Sequence, residues 1–233
     1  MPDYLFPPAP VRTVSVIGQA ALFPVNRIFC VGRNYEAHAA EMGGSVDREA
    51  PWYFTKSPAQ AVCPSGSVIP YPPGTANYHH EMELVLALGA PVFRASLTQA
   101  QAAIFAYGCG LDMTRRDRQQ EAKDNRRPWD VSKDFEDSAV LGALTPAANL
   151  PSLAGRRIHL AVNGVIRQDA TLDDLVWSPA EVVAHLSHLY HLAPGDLIMT
   201  GTPAGVGAVA AGDVITGGID GLDPVSLTIA AAE

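Results

Sequence analysis

The sequence predicts a mixed α/β, β-dominated roll with few short helices, and three observations lead there. Gly 20 and Pro 19 in 233 residues are too many for a helical bundle and favour frequent turns between short strands. The apolar runs are of strand length, the clearest being Met82-Glu83-Leu84-Val85-Leu86-Ala87-Leu88. The helical stretches are few and do not alternate with strands as a doubly wound sheet requires. Hydrophobic residues make up 48% and charged ones 17%, enough apolar material for one large core.

Residues 1–24, rich in proline and aliphatics, are expected to form a small β-arm ahead of a main domain at 25–233. Residues 27–32 read as a buried strand ending in Gly32. Asn34 is placed to cap a short helix through residue 43, where paired glycines stop it. On that helix His38 and Glu41 are three apart and therefore neighbours. Residues 52–55 make a second strand, and Tyr71-Pro72-Pro73-Gly74 a rigid turn into the strand carrying Glu81 and Glu83. Ser96 or Thr98 opens a helix reaching about residue 107, after which a strand delivers Asp112. Residues 114–125 read as a helix, broken by Pro128-Trp129 ahead of Lys133. Residues 158–168 form a hairpin with Asn163-Gly164 as a type I′ turn. Ser178-Pro179-Ala180-Glu181 is a capping box with proline at the first helical position, opening a helix to about His191. Pro194-Gly195-Asp196 turns into a strand at 197–200, a glycine-rich loop follows at 201–207, and short strands near 213–216 and 224–230 close the chain.

A net charge of −8 argues against nucleic acid or an anionic membrane surface as partner. Yet Arg115, Arg116, Arg118, Lys123, Arg126 and Arg127 place six of the sixteen basic residues in thirteen positions. Two readings stay open: an anionic substrate nearby, or a solvated helix face interleaved with Asp117, Glu121 and Asp124. Cys30, Cys63 and Cys109 are odd in number and lack C-x-x-C spacing, as small buried hydrophobes of a reducing compartment would. The opening residues have no basic segment followed by an apolar run, as a signal peptide would. No apolar stretch approaches the ~20 residues of a membrane span. A soluble, cytoplasmic protein is expected.

Glu81 and Glu83 lie two apart on an extended stretch and so share a face. With Asp112 arriving from the next strand, they make an all-oxygen set suited to magnesium or manganese. The bland reading of Glu-x-Glu is a solvated strand face. Against it, Val85 and Ala87 continue the glutamate face as apolar, and buried carboxylates need a partner. His38 with Glu41 is either a surface pair or a catalytic pair, and the glycines flanking it would let the short helix move as a lid. The 201–207 loop lacks the lysine of a P-loop; it reads as a tight loop exposing the Thr202 hydroxyl and backbone N–H groups to a ligand. His79, His185, His188 and His191 read as ordinary interhelical or surface residues.

Five segments together resemble a known family. They are Val31-Gly-Arg33-Asn-Tyr-x-x-His38-x-x-Glu41-Met, His79-His-Glu81-x-Glu83-Leu, Asp112-Met-Thr-x-Arg116-Asp-x-Gln119, Pro128-Trp-x-x-x-Lys133-x-Phe and Thr200-Gly-Thr202-Pro-x-Gly-Val-Gly. In this order they are similar to the fumarylacetoacetate hydrolase family, nearest its bacterial fumarylpyruvate- and acylpyruvate-cleaving branches. The resemblance implies a β-sandwich roll, a homodimer, and cleavage of a carbon–carbon bond in an anionic 2,4-dioxo acid, here 3-fumarylpyruvate to fumarate and pyruvate. A general acylpyruvase and an oxaloacetate decarboxylase are the alternatives on the same scaffold. It further implies Mg2+ or Mn2+ on Glu81, Glu83 and Asp112, and His38, Glu41 and Lys133 as the catalytic set. Arg116 and Gln119 are then expected at the pyruvyl end, with Arg33, Lys56 and Thr202 as further substrate contacts.

Overall fold

The computed structural model describes residues 3–150 and 152–233. The main sheet has eight strands, in spatial order Trp52–Lys56, Ile28–Gly32, Leu197–Met199, Met82–Leu88, Ile104–Asp112, Ala139–Leu141 and Val62–Pro64, with Thr145–Pro146 also pairing with Ile104–Asp112. A second sheet orders Val165–Thr171, Arg157–Val162, Val214–Ile219, Val225–Ala230 and Ser67–Pro70. A third, small one orders Thr114–Arg115, Tyr78–His80 and Gly207–Val209. Thr13–Val14 pairs antiparallel with Phe23–Pro24, and Val14, Val16 and Phe23 are buried against the main sheet. The expected β-dominated roll is what the chain forms.

The Met82–Leu88 strand explains why the site is rigid. Its alternate residues Met82, Leu84, Leu86 and Leu88 enter one core with Ile158, Leu160, Leu227 and Ile229 of the second sheet and Val182, Val183 and Leu186 of the Pro179–Leu189 helix. Val85 and Ala87 enter a second core with Ile28, Cys30, Leu197 and Met199. Burying one such large side chain contributes about 1.5–3 kcal/mol, and a one-residue slip would turn Glu83 into the first core. The register that packs the leucines therefore also fixes Glu83.

The strand expected to carry both glutamates is interrupted between them. Tyr78–His80 belongs to the small sheet and Met82–Leu88 to the main one, with Glu81 at the joint. Asp112 sits at a matching crossing: its strand ends there and Thr114–Arg115 joins the small sheet. The Asp112 amide donates to the Glu81 carbonyl at 2.9 Å, so the two crossings are tied together. The carboxylates gather where the chain changes sheets.

Other elements depart from expectation for physical reasons. The helix opened by Ser96 spans only Leu97–Ala103, because Ile104 to Tyr107 pair with Leu88, Ala87 and Leu86 as strand. Asn34 does not cap the short helix, which runs Glu36–Glu41 after Tyr35; its side chain instead binds the backbone of Trp177 and the Thr200 carbonyl. The helix after Asp112 is Arg116–Asp124, and a further turn, Asp130–Lys133, follows Pro128. Asn163 and Gly164 take φ of 52° and 77°, as a type I′ turn requires. The capping boxes at Ser96 and Ser178 are both made. All three cysteines are buried and free. Among the described residues no helix is long and apolar enough to cross a membrane.

Candidate metal centre and active site

Glu81, Glu83 and Asp112 are all buried, and one oxygen of each lies within 4.8 Å of the others. Three cations stand around them. Lys133 donates to Glu81 Oε2 at 2.7 Å, Asp112 Oδ2 at 2.6 Å and Thr114 Oγ1 at 2.7 Å, which commits all three of its N–H groups. Arg116 donates to Glu81 Oε1 and, at 2.6 Å, to Gln119 Oε1, leaving the Gln119 NH2 free to face the cavity. Lys56 lies 2.9 Å from Asp112 Oδ1 and donates to the carbonyls of Met113 and Lys133.

The charges divide unevenly. Burial alone would raise the Glu81 pKa, but Lys133 and Arg116 more than offset it and hold this carboxyl well below the usual range. Glu83 goes the other way: burial, then the carboxylates of Asp112 and Glu81, push it well above. Lys133 is held above its ordinary value because Asp112 and Glu81 overcome its burial. Asp112 Oδ1 also lacks a directed hydrogen bond although buried; Lys56 offers it charge without hydrogen-bond geometry. An all-oxygen trio in which burial and like charges oppose the ionisation of one member, and one oxygen is unbonded, fits a hard divalent cation.

His38 faces the same cavity from the short helix, with Glu41 of that helix beside it. His38 Nδ1 lies 3.4 Å from Glu41 Oε2, which leaves Nε2 as the nitrogen for the cavity. Burial lowers the His38 pKa, partly opposed by Glu81 and Glu41, so the imidazole is neutral near pH 7. The Gly205 amide donates to both Glu41 oxygens at 3.1 and 3.2 Å. The Gly201 amide donates to Glu83 Oε2 at 2.7 Å. These amides, expected to serve a ligand, hold two site carboxylates instead. Thr202 does line the cavity, its hydroxyl accepting from Gln168 Nε2 at 2.7 Å.

Arg33, Gln119, Arg116, Lys133 and Thr202 all line the cavity. Lys56 is not among them: it is 2% exposed and stands as a counter-charge 2.9 Å from Asp112 Oδ1. The basic concentration splits between the two readings. Arg116 is buried in the site and Lys123 lines the cavity, while Arg118 pairs with Glu121 at the surface and Arg126 and Arg127 are exposed. His185 and His191 are ordinary, set against Tyr53 and stacked on Phe93. His79 is not, because its Nδ1 accepts from Arg116 Nε at 3.3 Å; burial and Arg116 bring its pKa down to about 4.

Sequence reasoning missed the cavity's aromatic wall of Trp52, Phe54 and Trp129, and the supports Thr114 and Gln168. Gly32 is what admits Trp52, since a Cβ at residue 32 would overlap the indole ring. Trp129 and Thr114 sit inside the quoted segments and could have been flagged. Gln168, in the hairpin's second strand, gives no local signal.

Comparison with known proteins agrees with this geometry. The profile described as Fumarylacetoacetate (FAA) hydrolase C-terminal matches residues 27–230. The chain is 51% identical over 194 residues to a fumarylpyruvate hydrolase of Ralstonia sp, covering 82% of this chain and 100% of that one. It is 36% identical over 200 residues to an oxaloacetate tautomerase of Escherichia coli (strain K12), covering 85% and 90%. Among solved structures, it superposes on the fumarylpyruvate hydrolase of Pseudomonas aeruginosa in complex with Mn2+ and pyruvate with a TM-score of 0.93 at 45% identity, covering 98% of this chain and 100% of that one.

Proposed function

The chain belongs to the fumarylacetoacetate hydrolase family, and on that premise we propose that it hydrolyses 3-fumarylpyruvate to fumarate and pyruvate with Mg2+ or Mn2+ bound. The observation that carries the reading is the meeting, in one cavity, of the buried Glu81, Glu83 and Asp112 with His38, which Glu41 contacts through Nδ1. When bound by the three carboxylates, a divalent cation supplies positive charge at the C1 carboxylate and C2 oxygen of a dioxo acid.

The chain's own residues do the rest. Neutral His38 takes a proton from water on Nε2 as the water oxygen bonds to C4. Glu41 orients the ring and stabilises the imidazolium, and the Gly205 amide keeps Glu41 in place. The C3–C4 bond breaks, its electron pair passing to the pyruvate enolate, and the proton held on His38 becomes available to C3. Lys133 acts on the enolate by its charge, since its N–H groups are committed to Glu81, Asp112 and Thr114. Arg116 holds Glu81 and orients Gln119, whose NH2 donates to the pyruvyl end.

The reading extends to a cytoplasmic homodimer acting in aromatic-compound breakdown, with residues 1–24 an arm on the catalytic domain at 25–233. Supporting a partner for that arm, Leu5 and Phe6 are 95% and 81% exposed in the single chain; light scattering checks it. The deciding experiment offers fumarylpyruvate, acetylpyruvate and oxaloacetate to the purified protein with Mn2+ and after exhaustive chelation. Hydrolysis of the dioxo acids that chelation abolishes and Mn2+ restores is the expected outcome. Metal-independent turnover, or turnover of oxaloacetate alone, would overturn it.

A further inference from the structure

Five cationic side chains stand in or directly behind the cavity, and they are not equivalent. Lys56, Lys133 and Arg116 are each matched to a carboxylate of the buried cluster. Arg33 and Lys123 are not. Among the described residues neither has a carboxylate oxygen within 4.0 Å. Both line the cavity that holds Glu81, Glu83 and Asp112, and both are half-buried.

A partly desolvated cation without an anion is costly, and two such cations lining one cavity are costlier. The strain registers on Lys123: burial, then the charges of Arg116 and Arg33, lower its pKa. Solvated surface lysines escape this by turning outward. Lys123 is instead held inward, its Nζ 5.2 Å from the Trp129 ring centroid. The Arg33 backbone adopts φ of 56°, a left-handed conformation uncommon outside glycine. Its guanidinium lies so close to Gly44 that a Cβ there would come within 2.5 Å of Nη1. Both residues line the cavity.

An aromatic wall connects Lys123 with the carboxylate cluster. Trp52 meets Trp129 edge-on at 4.8 Å, and Phe54 lies 6.2 Å from Trp129. Lys133, at the cluster, sits 4.9 Å from the Phe54 ring, and Lys123 at the Trp129 ring. Such a wall suits flat conjugated carbons with a charge at each end, the first charge being met at the cluster.

We propose that Lys123, together with Arg33, forms the subsite for the substrate's second carboxylate, with Trp52, Phe54 and Trp129 flanking the conjugated carbons between the two acid groups. The assignment rests on the reading above, that the substrate is a dioxo acid whose pyruvyl end lies at Glu81, Glu83 and Asp112. It names the residue that selects a dicarboxylic chain over a methyl-terminated one. Lys123 is a specificity residue here, remote from the bond that breaks.

The test compares wild type with Lys123→Met, which keeps the stem and removes the charge, and with Lys123→Arg, which restores it. In the Mn2+-loaded enzyme, Lys123→Met lowers the ratio of kcat/KM for fumarylpyruvate to that for acetylpyruvate by about tenfold to a hundredfold, the span of one charge-assisted hydrogen bond. Lys123→Arg keeps the ratio within about threefold, given that arginine also satisfies a carboxylate. Calorimetry supplies a readout independent of turnover. Fumarate binds wild type more tightly than crotonate, in which a methyl replaces one carboxylate, and Lys123→Met erases that difference. If Lys123→Met lowers both substrates equally, the ammonium serves the shared pyruvyl end and the proposal is overturned, as it is if neither the ratio nor the fumarate preference moves. If wild type hydrolyses neither dioxo acid yet prefers fumarate through Lys123, the subsite stands and the hydrolase reading fails.

Discussion

Replacing Glu83 with glutamine separates what this side chain does in the bare fold from what it does with a cation bound. In the bare fold, burial and the neighbouring Asp112 and Glu81 push its pKa well above the ordinary 4.5, so the folded chain holds this proton to a higher pH than the unfolded chain does. Stability linked to a carboxyl raised in this way is undiminished below the unfolded pKa and declines as pH climbs from there toward the raised folded value. Each unit of elevation removes about 1.4 kcal/mol. Glutamine has the shape of the protonated acid, retains an acceptor for the Gly201 amide at 2.7 Å, and has no proton to lose. Metal-free Glu83→Gln should therefore match wild type at pH 4.5 and equal or exceed it at pH 7.5. One unit of elevation corresponds to about 3–6 °C for a chain of this length. With Mn2+ at a hundred times its Kd, wild type gains about 2.7 kcal/mol, or roughly 5–11 °C, and the variant gains little of it. Calorimetric melts between pH 4.5 and 8, in chelator and in Mn2+, read both effects. A metal-free variant several degrees below wild type at pH 7.5 would show an ionised, ion-paired Glu83; a full Mn2+ shift in the variant would remove it from the metal site.

Three further outcomes follow from the same geometry. His38→Ala and Glu41→Gln lose about 10²–10⁴-fold in kcat while still binding oxalate in the presence of Mn2+; hydrolysis near the wild-type rate in His38→Ala would dismiss the base. Because burial lowers the His38 pKa, activity falls only as pH drops through a value below the ordinary 6.5, and Glu41→Gln, lacking a contribution that raises it, moves this acid limb lower still. A limb above 6.5 in the pH dependence of kcat/KM contradicts that. Lys56→Met breaks a buried pair with Asp112 and costs about 3–5 kcal/mol, roughly 6–20 °C in Tm. An unchanged Tm with a raised KM would instead make Lys56 a substrate contact.

What the sequence made legible was local or compositional. The carboxylate trio, the His38–Glu41 pair, the hairpin turn at Asn163-Gly164 and the helix start at Ser178 all lie in short spacings or turn chemistry. What it concealed depends on strands far apart. Lys56 points behind Asp112 because Trp52–Lys56 pairs with Ile28–Gly32 at the sheet edge. The joint at Glu81 is invisible to periodicity, since residues 78–88 look like one extended run until two different sheets claim its ends. Ile104 to Tyr107 could continue a helix, and pairing with Met82–Leu88 decides otherwise. The loop amides were read as ligand donors because their partners, Glu83 and Glu41, lie 118 and 164 residues away.

That separation sets an order of events during synthesis. The acidic residues leave the ribosome first, and the glycine amides that orient them arrive last; at about 5–20 residues per second, the 118 residues between Glu83 and Gly201 take roughly 6–24 s. Until then Glu83 has no backbone donor, Glu41 has no tether, and the Met82–Leu88 strand that carries Glu83 lacks its Leu197–Met199 neighbour. A nascent or truncated chain ending before residue 201 cannot assemble the chelate in its finished form. The finished carboxylate site is in this way reserved for nearly complete molecules.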